Sequence, residues 1–138
     1  MRMKLSYLIL LATLFGCKAK NKITEVKDND LTVMAIRNGK AGKESETTYK
    51  VRVFPSKLVL ENGGNKLAEK MLYRPDSSIY LLNEDKKNYP LYIEPVSNGI
   101  KGSYEFLVAF NTATNGKADT LIYQDKFINQ KKYVLAIK

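Results

Sequence analysis

The chain reads as an all-β, mainly antiparallel domain: a sandwich of seven to eight strands with at most one short helix near residues 65–73. Three observations carry that expectation. Several stretches alternate apolar and polar residues with period 2, the spacing that sends successive side chains to opposite faces of a sheet. From Leu31 onward the apolar runs are short and recur roughly every dozen residues. Four Asn-Gly pairs, at Asn38, Asn62, Asn98 and Asn115, punctuate them. Asn-Gly suits turns of positive φ, because glycine has no Cβ and asparagine tolerates the left-handed region.

Taken in order, strands are predicted at 31–37, 47–54, 57–61, 78–83, 89–94, 103–110, 119–124 and 132–137. Tyr49, Val51 and Val53 share one face and Lys50 and Arg52 the other; Tyr104, Phe106, Val108 and Phe110 alternate with Glu105, Leu107 and Ala109; Tyr133, Leu135 and Ile137 repeat the pattern. Pro55 lacks an N–H and belongs at a bend or an edge. At 65–73 a short helix or loop turn is favoured over a strand, with Asn65 as the cap of such a helix and Leu67/Met71 and Ala68/Leu72 paired four apart. Pro75 would end it. Glu84–Asn88 reads as a charged hairpin tip between 79–82 and 89–93. An immunoglobulin-like or transthyretin-like arrangement fits this order, and alternation alone does not separate a sandwich from a closed barrel.

Ahead of the domain, Arg2 and Lys4 precede an uncharged run of 11 residues, Leu5–Phe15, and Gly16 leads into the chain's single cysteine, Cys17. Such a run is too short to span a bilayer, which takes about 20 residues, and the layout is that of an export signal. Leu14-Phe15-Gly16-Cys17 resembles the lipobox of bacterial lipoproteins, with Phe15 departing from the small residue usual there. The resemblance implies a signal peptide over 1–16, cleavage between Gly16 and Cys17, and acylation (palmitate among the chains) of Cys17. It also implies outer-membrane placement, since Lys18 rather than Asp follows the cysteine, with the domain facing the periplasm or the cell surface. Residues 17–30 are then the lipidated cysteine and a flexible polar tether, and 31–138 a single β-sandwich domain. Thirteen tether residues would reach about 40 Å fully extended.

Removing the first 16 of 138 residues leaves 122, enough for one core. Loss of Arg2 and Lys4 takes 23 basic residues to 21 against 14 acidic ones, a formal +7. Export argues against nucleic acid as the partner of that charge and leaves anionic headgroups or a protein surface. The chain has no histidine. With Cys17 acylated, His- or thiol-based catalysis and imidazole or thiolate metal sites have no residues to build on. The acids Glu94, Glu105, Asp119 and Asp125 fall on separate predicted strands, and Glu84-Asp85 on an exposed tip. The expectation is therefore a non-enzyme without cofactor or metal.

Five of the nine tyrosines fall between residues 73 and 104. If 79–82 and 89–94 pair as a hairpin, Tyr80 and Tyr92 share a face that is either the second side of the sandwich core or a protein contact, since tyrosine offers apolar area with a polar tip. Ile100 and Lys101, in the turn-rich PVSNGIKG stretch, form a second candidate contact, the alternative being that Ile100 tucks back onto its own sheet. The expected function is that of a lipid-anchored, non-catalytic adaptor or structural component of a cell-envelope protein complex. By architecture the chain resembles the small β-sandwich outer-membrane lipoproteins of type VI secretion systems. The alternative is an inhibitory, immunity-type lipoprotein that captures a toxin or hydrolase.

Overall fold

A computed structural model describes residues 22–40, 46–75, 78–111 and 119–137. Gly16 and Cys17 lie outside the described residues. Nine strands form two antiparallel sheets: β1 (Ile23–Lys27), β2 (Leu31–Lys40), β3 (Glu46–Pro55), β4 (Ile79–Asn83), β5 (Lys86–Asn88), β6 (Tyr92–Val96), β7 (Tyr104–Asn111), β8 (Asp119–Gln124) and β9 (Lys132–Ile137). Sheet 1 has the order β1-β2-β3-β7-β6 and sheet 2 the order β5-β4-β8-β9. The predicted all-β antiparallel class holds, with one helix, α1 (Lys57–Tyr73), between β3 and β4.

Period 2 built the core as expected. Val33, Val51, Phe106 and Val108 of sheet 1 meet Ile79, Leu121, Tyr123 and Leu135 of sheet 2, and all are buried. Tyr49 and Phe110 pack edge to face with ring centroids 5.8 Å apart. The first sheet's start and the second sheet's last strand approach closely, Thr24 Oγ1 donating to the Ala136 carbonyl at 3.2 Å. That contact closes one side of the sandwich; α1 packs Leu67 and Met71 into the core.

Several expectations need correction. The predicted strand at 57–61 is the first turn of α1. Ser56 caps it, its Oγ accepting from the Val59 N–H at 3.4 Å, and this satisfies an N-terminal donor that a strand pattern ignores. The helix is thus longer than the predicted 65–73. It breaks at Gly64, where φ is 52°, so the predicted segment corresponds to its second half. The tether expected over 17–30 is shortened from its C-terminal side, because Ile23–Lys27 pairs along β2 from Ile23 opposite Ile36 to Lys27 opposite Thr32. Only Val26 of this strand packs on the core, so an edge strand read as solvated linker. Finally, 89–94 does not return beside 79–82. β5 pairs with β4 for three residues, then Tyr89-Pro90-Leu91 crosses to sheet 1, where β6 pairs with β7. Pro90 has no N–H to continue the ladder. The described residues form nine strands in place of the expected seven to eight.

Candidate protein-contact groove

The crossover separates the first predicted pair. Tyr80 lies in sheet 2, only 3 % exposed, its ring 5.8 Å from that of Tyr89, with the Lys87 ammonium 5.0 Å from its centroid. Tyr92 lies in sheet 1 on the edge strand β6 and is 39 % exposed. The two do not form a common patch. Ile100 and Lys101, by contrast, sit together where the sequence placed them, on the β6–β7 loop.

That loop is built around Asn98. Its Oδ1 accepts from the Ile100 N–H at 2.9 Å, and its Nδ2 donates to Ser103 Oγ at 2.8 Å. Ser103 Oγ also lies 3.0 Å from the Ile100 carbonyl. Gly99 and Gly102 take φ of 70° and 78°, a region that side chains with a Cβ rarely enter. At Gly102 a Cβ would stand 2.7 Å from Leu60 Cδ1 of α1, so the glycine also sets how closely loop and helix approach. Ile100 is thereby held outward, 52 % exposed.

Between this loop and the end of α1 runs an open groove of about 530 Å³, with Leu72 and Tyr73 on one side, Pro95 and Val96 along the strand, and Ile100, Lys101 and Tyr104 on the other. Tyr73 is 75 % exposed. Burial pushes the Tyr104 phenol above its ordinary range, so it presents a neutral hydroxyl. Lys101 is the one charged residue of the lining. Tyr73 was missed as a partner of Ile100 because 27 residues separate them, and only the packing of α1 joins them. The surviving signal was the exposed-type residue just before Arg74-Pro75, where the helix must end.

A second, smaller groove of about 350 Å³ flanks the other side of α1, between Val59, Lys66, Leu67 and Lys70 and the β8–β9 loop residues Phe127 and Ile128. This loop is fixed by Asp125, 1 % exposed, whose carboxylate accepts from the N–H groups of Phe127, Ile128, Asn129 and Gln130. Beside it, Asp28 ties the β1–β2 turn to β9: Oδ1 accepts from the Asp30 and Leu31 N–H groups, and Oδ2 from Lys131 Nζ at 3.0 Å and the Tyr133 hydroxyl at 2.9 Å. Burial works to raise the Asp28 pKa, but the Leu31 N–H, Lys131, the Asp30 N–H and Tyr133 together hold it well below the usual carboxylate range. Burial, opposed by the Asn129 amide and helped by Asp28, pushes Tyr133 up to about 12.

On the outer face of sheet 1, Glu105 is buried between Arg52, directly opposite in the register, and Lys50 at 3.4 Å. Burial raises its pKa, and the two cations outweigh that and lower it. Each carboxylate with these partners has a structural bond set. Among the described residues no three Cys, Asp or Glu side chains converge as metal ligands would. No protein-family model, curated protein or solved structure matches the chain.

Proposed function

We propose that the chain is a lipid-anchored envelope protein that acts without catalysis, as an adaptor or structural component of a cell-envelope protein complex. The lipobox-like Leu14–Cys17 supports the anchor. The contact is supported by one observation above the others: a groove whose rim carries two large apolar side chains, Tyr73 and Ile100, in solvent while a hydrogen-bonded turn fixes one of them in place. Exposed apolar residues clustered in a concave site are a frequent mark of protein contact. A type VI secretion assembly is the complex this architecture suggests.

The test is cross-linking and affinity capture from membranes with the full chain and with Ile100→Asp. A multi-protein envelope complex captured by the former and lost with the latter is the expected result. Unchanged capture by Ile100→Asp would remove the groove from the reading. The inhibitory alternative is favoured by the rigidity of the Asn98–Ser103 turn, since a fixed apolar tip can fill an enzyme pocket. Capture of one soluble enzyme in place of a complex would select it. Palmitate incorporation that persists in Cys17→Ala would overturn the anchor.

A further inference from the structure

The strand registers give the domain two distinct ends. β1 runs upward from Ile23, which lies in one row with Ile36, Lys50, Leu107 and Glu94 across sheet 1. Past that row, toward the side from which the chain arrives, lie the far ends of β2 and β3, the start of β6 at Tyr92, and Leu91. The Thr24–Ala136 contact aligns sheet 2 with it, so the β4–β5 turn at Glu84–Lys86 is at this end too. α1, the β6–β7 loop with Ile100, and the β8–β9 loop occupy the opposite end.

Resting on the acylation of Cys17 proposed above, we infer that the end holding Leu91 and Tyr92 lies against the bilayer that carries the anchor, and that the Tyr73–Ile100 groove points away from it. Chain length argues this. From Cys17 to Ile23 there are six residue steps, which reach about 20 Å at most. β2 extends four residues past the Ile23 row, about 13 Å. Less than about 10 Å is left between the end of the sandwich and the acylated cysteine, comparable with a headgroup layer. The surface there suits the place: Ile23 is 57 % exposed, Leu91 57 % and Tyr92 39 %, and tyrosine favours the boundary between hydrocarbon and water. Glu84 and Asp85 offset Lys86 and Lys87 in the turn, and Lys18, Lys20 and Lys22 in the connection, with the exposed Arg37 past the Ile23 row on β2, supply attraction to anionic lipid.

The chain contains no tryptophan, so single-tryptophan reporters are clean. Purified lipidated protein carrying Leu91→Trp, Tyr92→Trp, Tyr73→Trp or Ile100→Trp is reconstituted in phosphatidylglycerol/phosphatidylcholine vesicles with a headgroup nitroxide quencher. All four positions are exposed, and circular dichroism checks the fold of each. Quenching at 91 and 92 is expected to exceed that at 73 and 100 by about threefold or more. Equal quenching at all four positions, or the reverse order, overturns the inference. Intact mass reads acylation separately: a lipidated protein with the wrong quenching order sinks the orientation alone, and a protein without acyl chains sinks both.

Discussion

Two loops of seven residues each flank α1 at the same end of the sandwich, and they handle their apolar residues in opposite ways. The β8–β9 loop, 125–131, wraps its backbone N–H groups around the buried Asp125 carboxylate and turns Phe127 and Ile128 onto the core. The β6–β7 loop, 97–103, is tied by the neutral side chains of Asn98 and Ser103 and leaves Ile100 in solvent. A loop that buries its apolar residues gains transfer free energy from them. One that rigidly presents them forgoes it, and a contact made elsewhere is the natural reason. The difference makes the β6–β7 side the one we propose for a partner and the β8–β9 side a structural clasp.

Removing the clasp should have the largest effect. Asp125→Ala leaves four N–H groups without their acceptor and is expected to lower stability by about 3 kcal/mol in urea denaturation. A loss similar to that of an ordinary surface substitution would erase the contrast. Next comes Gly102→Ala, which places a Cβ at positive φ and against Leu60; about 1–2 kcal/mol is expected. It should also disturb the groove, moving loop and helix apart.

Tyr133→Phe sharpens the clasp further. The lost hydroxyl donates to Asp28 and accepts from Asn129, so a loss of about 1 kcal/mol is expected near neutral pH. The sign of the pH dependence follows from a folded-state pKa raised from 10.0 to about 12. The contribution is complete below the unfolded value near pH 10 and disappears as pH rises through about 12. Thermal melts of the wild type should therefore fall over that window more steeply than those of Tyr133→Phe. The smallest stability change belongs to Ile100→Asp, within about 0.5 kcal/mol of wild type, although it is the substitution expected to abolish partner capture. A large destabilisation there would mean that Ile100 is part of the fold and would undo the comparison of the two loops.

Legibility followed the range of the interactions. Strands β3, β7 and β9 were readable because each carries its own alternation, and the face that alternation marks is buried in each. Lys57–Glu61 misled because Leu58, Val59 and Leu60 look like a strand run, whereas a hydroxyl one residue upstream, Ser56, commits the backbone to helix. β1 hid because an edge strand needs only one inward residue. Ile100 was found as a contact candidate since the turn chemistry around it is local, yet its neighbour Tyr73 and the groove between them required α1 to be docked.

By itself the sequence determined the class of fold, several strands with a buried face, the single cysteine and the absence of histidine. Periodicity, composition and short motifs are written in consecutive residues, and local physics suffices to read them. Only the tertiary structure decided that Tyr80 and Tyr92 belong to different sheets, that Asp28 and Tyr133 clasp the two sheets together, and that Tyr73 and Ile100 line one groove. Each of those depends on which strands pair after a crossover, and pairing is set by the burial of the whole core rather than by any one segment.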